Sequence, residues 1–127
     1  MVINDPEVLA EVTAAFERYE AALTDNDLDA LDAMFWSSPH ALRYGIGENL
    51  YGVAEIAAFR LHRKGGSPPR RVLRSVITTF GQDFATASME FQRDGATRIG
   101  RQTQVWVRLQ QGWRVTSGHV SFMADVS

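Results

Sequence analysis

The chain has 127 residues, 45% of them hydrophobic and 22% charged, with a net charge of −2 and no cysteine. That length suits one domain with its own core, and the near-neutral charge gives no electrostatic reason for nucleic acid or an anionic membrane as partner. The lack of cysteine excludes disulfides, thiolate nucleophiles and thiolate metal sites.

Asp5-Pro6-Glu7 reads as a helix start, with a capping Asp, Pro at the first helical position and an acid in the first turn. Val8, Leu9, Val12, Phe16, Tyr19 and Leu23 follow at helical spacing, so Tyr19 points inward and its buried hydroxyl needs a partner. Thr24 to Asp27 is a turn and a second cap, and Leu28 to Trp36 continues as a second helix that Ser37-Ser38-Pro39 stops. So short a link makes the two a helical hairpin.

Ala41 to Ile46 reads as a strand, Glu48 to Gly52 as a short strand or turn, and Val53 to Arg63 as a third helix. Lys64 to Pro69 (KGGSPP) is the stretch expected to be a flexible, disordered loop. Four strands follow: Arg71 to Phe80, Phe84 to Arg93, Arg98 to Leu109 and Trp113 to Met123, with turn signals at Gly81-Gln82-Asp83, Asp94-Gly95 and Gln111-Gly112. Helices at the front and a meander at the back is the pattern of an α+β domain. A strongly curved sheet around the first helix would make a cone whose open end is a pocket. No repeat or linker divides residues 1–127, so one domain is expected. No apolar run nears the ~20 residues of a membrane span. MVINDPEVLAEV lacks the basic start and apolar middle of a secretory signal, so cytoplasm is the expected location.

The last strand pair is rich in polar groups. Alternation from Val115 puts Ser117, His119 and Ser121 on one face, toward the core if Val115 faces it. His119 is then either a satisfied structural histidine or a ligand-orienting donor. Arg43, between Leu42 and Tyr44 and followed by Gly45, offers a planar fork for a carboxylate, unless it faces solvent or pairs with Glu48. Arg101 is a second anion anchor or an edge residue, and Arg60 on the third helix carries the same ambiguity. Trp106, Trp113, Gln102 and Gln104 fall on the opposite, outer face of the sheet, where such residues suggest a subunit interface. His40, His62 and His119 lie on unrelated elements, and no HxH, HExxH, phosphate loop, dinucleotide fingerprint or GxSxG occurs. No metal or cofactor is expected.

The motifs ERYEAAL (Glu17–Leu23), LRYGIGENLYG (Leu42–Gly52), Phe59-Arg60, TTFG (Thr78–Gly81) and GRQTQVWVR…GWRV…HVS resemble the AtzH-like family, which includes proteins called oxalurate catabolism protein HpxZ. That family belongs to the SnoaL-like, nuclear-transport-factor-2-like superfamily. The resemblance implies a cone-shaped α+β fold, three helices on a strongly curved, mostly antiparallel sheet. It also implies a decarboxylating amidohydrolase acting on an N-carboxylated urea, such as 1,3-dicarboxyurea going to allophanate, or on a related ureido acid in cyanuric acid or oxalurate catabolism. The family's functional tyrosine and arginine fall on Tyr19 and Arg43, expected to be catalytic, while Thr103 and Gly118 stand where relatives usually have Ser and Ala. His119, Arg101, Arg60, Ser121 and Trp36 are the expected substrate-binding residues. The expected partners are a small anionic metabolite, a second copy of the chain in a homodimer or larger assembly, and an amidase-signature enzyme of the same pathway. The alternative is a non-catalytic anion-binding or accessory subunit of such an amidase.

Overall fold

The structure, a computed structural model, describes residues 1–125. Helix α1 (Pro6–Thr24) begins as its sequence dictates: the Asp5 carboxylate accepts from the amides of Glu7 (3.0 Å) and Val8 (3.4 Å), and Pro6 occupies the first turn. Its buried stripe is Val8, Val12, Ala15, Phe16, Tyr19 and Ala22. Helix α2 (Leu28–Met34) is capped by Asp27, which accepts from Ala30 at 3.2 Å. It ends two residues before Trp36. Phe35 turns extended to bridge Val115, and Trp36 donates its amide to the Val115 carbonyl at 2.9 Å. Burying Phe35 in the core outweighs one more helical turn.

Strands β1 (Leu42–Tyr44) and β2 (Asn49–Tyr51) precede helix α3 (Val53–His62), and β3 (Arg70–Phe80), β4 (Phe84–Arg93), β5 (Gly100–Leu109) and β6 (Gly112–Phe122) complete the sheet. The strand order is β2-β1-β6-β5-β4-β3, open and mixed, with β1 parallel to β6 and every other pair antiparallel. Three helices on this sheet make the cone-shaped α+β fold that the sequence predicts.

Register sets the inner surface in layers. Ala85, Trp106 and Val115 lie side by side, followed by Ala87, Gln104 and Gly118, then Met89, Gln102 and Val120, then Phe91, Gly100 and Phe122. Val115 and Gly118 share one face, although three residues apart, because Val105 pairs with Ser117 and Trp106 with Val115, leaving Thr116 as a bulge. The first layer packs against α1 as apolar core, and Trp106 is fully buried. The next layers trade bulk for Ala, Gly and Gln, which leaves space beyond Tyr19.

Lys64 to Pro69, expected to be a disordered loop, is a tight turn seated on the link between α1 and α2. Gly66 is buried with φ +69, and a Cβ there would come within 2.6 Å of the Asn26 side-chain oxygen, so only glycine lets the loop sit so close. Gly100 answers a different demand. A Cβ on it would collide with the ring of Phe91, which is 0% exposed and has nowhere to move. Gly100→Ala is therefore expected to lower unfolding stability by about 1–3 kcal/mol, read from denaturant midpoints. An unchanged midpoint would mean that this corner of the sheet is loosely packed.

Candidate active site

Beyond Tyr19 a narrow cavity opens, walled by Leu23 of α1, by Phe35 just past α2 and by Gln102, Gln104, Gly118 and Val120 from the sheet. Four arginines converge on it: Arg43 from β1, Arg63 just past α3, Arg70 at the start of β3 and Arg93 at the end of β4. Ser67 of the loop at 64–69 closes one side. No Asp or Glu is among the lining residues.

The arginines arrive by register. Arg43 sits beside Gly118, which itself opposes Gln104, so these three share one row of the sheet. Glycine at 118 leaves nothing between the Arg43 and Gln104 side chains. Arg70 and Arg93 are direct cross-strand partners, two residues beyond the inward-facing Phe91. Phenyl rings fix the guanidinium groups: Arg43 and Arg63 lie 5.7 and 5.4 Å from the Phe59 centroid, Arg70 lies 4.5 Å from Phe91, and Arg93 lies 5.0 Å from Phe122.

Two of the four cations are matched by carboxylates. Arg43 donates to Glu48 at 3.0 Å, and Arg70 donates to Glu20 at 2.6 Å and to the Gln102 side-chain oxygen at 3.3 Å. Arg63 and Arg93 have no ion pair among the described residues. Burial, then the Arg43 and Arg60 charges, hold the Arg63 guanidinium below its ordinary range; burial, then Arg70 and Arg43, do the same to Arg93.

The unmet hydrogen bonds are concentrated here. Among the described residues five buried side-chain atoms lack a partner, and four of them belong to this cavity: Nε of Arg63, Arg70 and Arg93, and Nε2 of Gln102. All four are donors. The Gln104 oxygen accepts from Trp106 Nε1 at 3.1 Å, so the polar end it has left is also a donating NH2. A buried donor without a partner costs about 1–3 kcal/mol. A wall whose unmet polar atoms are all donors is matched by an anion.

Tyr19 is 4% exposed, its ring edge-on to Trp106 with centroids 6.2 Å apart. Its hydroxyl oxygen accepts from Arg60 Nη2 at 3.3 Å, while Arg60 Nη1 donates to Asp32 at 3.0 Å and the guanidinium lies over Phe35 at 4.9 Å. Because the oxygen is already an acceptor, the hydroxyl hydrogen is left to point elsewhere, and the cavity is its neighbour.

Tyr19, Arg43 and His119 of the expected site residues border the cavity. His119 does so only along its strand. The bulge at Thr116 reverses the alternation, so the His119 side chain shares the outer face with Thr103 and its ring packs on Tyr44 at 5.6 Å. Ser121 and Arg101 are cross-strand partners on that same outer face, Arg101 opposite Glu90, and neither reaches the cavity. Arg60 is not among the lining residues; it lies behind Tyr19 and donates to its hydroxyl oxygen. Trp36 lies elsewhere, beside a cleft formed by Asp32, Ser37 and Arg114. Gln102, Gln104, Trp106 and Trp113, expected on the outer face, are buried. Arg63, Arg70 and Arg93 were the residues missed. Alternation from Met89 through Phe91 pointed to Arg93, and the four-residue step from Phe59 pointed to Arg63.

The fold and cavity define a nuclear-transport-factor-2-like α+β protein with a cationic, donor-lined interior. A superfamily member from Salmonella enterica has this fold at a TM-score of 0.79, 22% identity, and coverage of 95% of this chain and 94% of that one. Within that class the chain belongs to the AtzH-like family, whose model matches residues 1–126. A Pectobacterium atrosepticum protein of unknown function is similar at 54% identity and a TM-score of 0.93, with 96% of this chain and 95% of that chain covered. A cystatin-like fold protein from Burkholderia xenovorans is similar at 44% identity and a TM-score of 0.94, with 99% of each chain covered. No match was found among curated proteins. Among the described residues no helix is long and apolar enough to cross a membrane, and no group of acidic or His side chains could hold a metal ion.

The Arg60–Asp32 pair predicts an asymmetry. The Arg60 side chain is 4% exposed and that of Asp32 43%, so Asp32→Ala strands a buried charge and is expected to cost about 2 kcal/mol, reduced by solvent at the acid. Arg60→Met removes that charge and should cost less. Urea unfolding of both variants checks the order, and the reverse order contradicts this account of the pair.

Proposed function

We propose that the chain is a cofactor-independent decarboxylating amidohydrolase of an N-carboxylated urea, such as 1,3-dicarboxyurea going to allophanate, or of a related ureido acid. Such a substrate belongs to cyanuric acid or oxalurate-type nitrogen catabolism. The observation that carries this reading is that Tyr19 and Arg43 border one cavity that holds no carboxylate and whose unpartnered buried polar atoms are all donors. Membership of the AtzH-like family supports it.

The chemistry follows from the residues. An N-carboxylate is planar and anionic, which suits the Arg43 fork. Arg43 then exchanges Glu48 for substrate, or shares its second nitrogen with it. In the reaction the bond from nitrogen to the carboxylate carbon breaks, the carbon leaves as carbon dioxide, and the nitrogen takes the Tyr19 hydroxyl proton. Solvent then reprotonates the phenolate, so dicarboxyurea and one proton yield allophanate and carbon dioxide. Arg60, already donating to the Tyr19 oxygen, stabilises the negative charge that develops on it.

Purified protein given an N-carboxylated urea should release carbon dioxide above the spontaneous rate. Tyr19→Phe should fold and still bind substrate but lose about a hundredfold or more in kcat, whereas Arg43→Gln should chiefly raise KM. Full turnover by Tyr19→Phe would remove the proton role. No turnover by the protein alone, with activity appearing once an amidase-signature enzyme is added, would replace the enzyme by an accessory subunit.

A further inference from the structure

We propose that Arg63 and Arg93 form a second carboxylate subsite, which makes the cavity selective for ligands carrying two negative charges. This rests on the reading above only in assigning the reacting carboxylate to Arg43.

Both side chains stand apart from the other arginines around the cavity. Arg43, Arg60 and Arg70 each donate to a carboxylate, while Arg63 and Arg93 make no side-chain hydrogen bond among the described residues. Neither is loose. Arg63 stacks on Phe59 and Arg93 on Phe122, and the Nε of each is buried without an acceptor. Both residues are partly buried, and the atom left without an acceptor is the Nε of each, which a ligand entering the cavity can reach and satisfy. The flanking groups share the deficit: Arg70 and Gln102, with side chain or residue exposure of 7% and 6%, also present unpartnered donors.

Charge and spacing indicate the ligand. Glu48 and Glu20 offset Arg43 and Arg70, and the two charges left over are those of Arg63 and Arg93. Like charges crowding one another in a half-buried cavity are relieved by an anion of matching valence. Arg43 lies in the Gly118 row with Arg63 against the same Phe59 ring, and Arg93 lies at the far end of the sheet, beyond Phe91 and against Phe122, so the cationic groups span the cavity and Arg63 is the one next to Arg43. That layout suits two separated carboxylates better than one compact anion. It also provides for product release. Loss of carbon dioxide turns a dianion into a monoanion, which keeps one anchor and gives up the other.

Titration calorimetry with unreactive probes tests this independently of turnover. Malonate, succinate and glutarate are compared with acetate and with inorganic phosphate, on wild type and on Arg63→Gln, Arg93→Gln and the matching Lys variants. Wild type should bind one dicarboxylate about tenfold or more tightly than acetate. Each Gln variant should lose about tenfold for that dicarboxylate and little for acetate, and each Lys variant, which keeps the charge without the fork, should fall between. Thermal melting confirms folding, and the Lys pair serves if a Gln variant does not fold. Equal binding of acetate and dicarboxylates, an undiminished preference in the variants, or phosphate bound ahead of every dicarboxylate would overturn the proposal. A dicarboxylate preference without turnover of N-carboxylated ureas would uphold this subsite and remove the enzymatic reading.

Discussion

The one-residue bulge at Thr116 decides what this protein can hold. Before it, Val115 packs into the core against Trp106; after it, Gly118 and Val120 face inward and Ser117, His119 and Ser121 face out. A regular strand would put the histidine and serines into the interior and turn Gly118 outward. The bulge instead leaves the smallest residue in the row between Arg43 and Gln104, so two long polar side chains share one space. The interior therefore changes along β6 from hydrocarbon to hydrogen-bond donors within one turn of α1, between Phe16 and Tyr19.

Keeping several arginines in one small cavity is costly unless each is held and compensated. Glu20, Glu48 and Asp32 bind their arginines from outside the cavity lining, and phenyl rings of Phe35, Phe59, Phe91 and Phe122 lie against the guanidinium groups. The carboxylates thus stabilise the fold without filling the site. Arg60 shows the same division of labour: its charge is spent on Asp32 and Tyr19, and its effect on a ligand passes through the phenol. What remains unspent is the pair Arg63 and Arg93.

Helix α1 was fully legible, because its cap, proline and apolar stripe are local signals. So were the four long strands, from their turn residues and β-branched content. Tyr19 and Arg43 stood out through the helical stripe and through the motifs that resemble the AtzH-like family. The inner and outer faces of β6 were not legible, since period-two reasoning carries a strand's phase forward from one residue and a single bulge inverts it. On β6 that inversion moves His119 and Ser121 out. Strand β5 alternates without interruption, but Val105 and Trp106 are both apolar and either could set its phase; Trp106 does, which puts Arg101 out and Gln102 and Gln104 in. The ordering of Lys64 to Pro69 was hidden for another reason. Its partner is the Asn26 amide, distant in sequence, and nothing in KGGSPP announces a tertiary contact.

A crystal structure with a bound dicarboxylate such as malonate tests the central claim most directly. One carboxylate should lie against Arg43 within reach of the Tyr19 hydroxyl, and the other should accept from Arg63 and Arg93, with their Nε atoms now partnered. A cavity that stays empty at saturating ligand, with Arg63 and Arg93 turned to solvent, would contradict it.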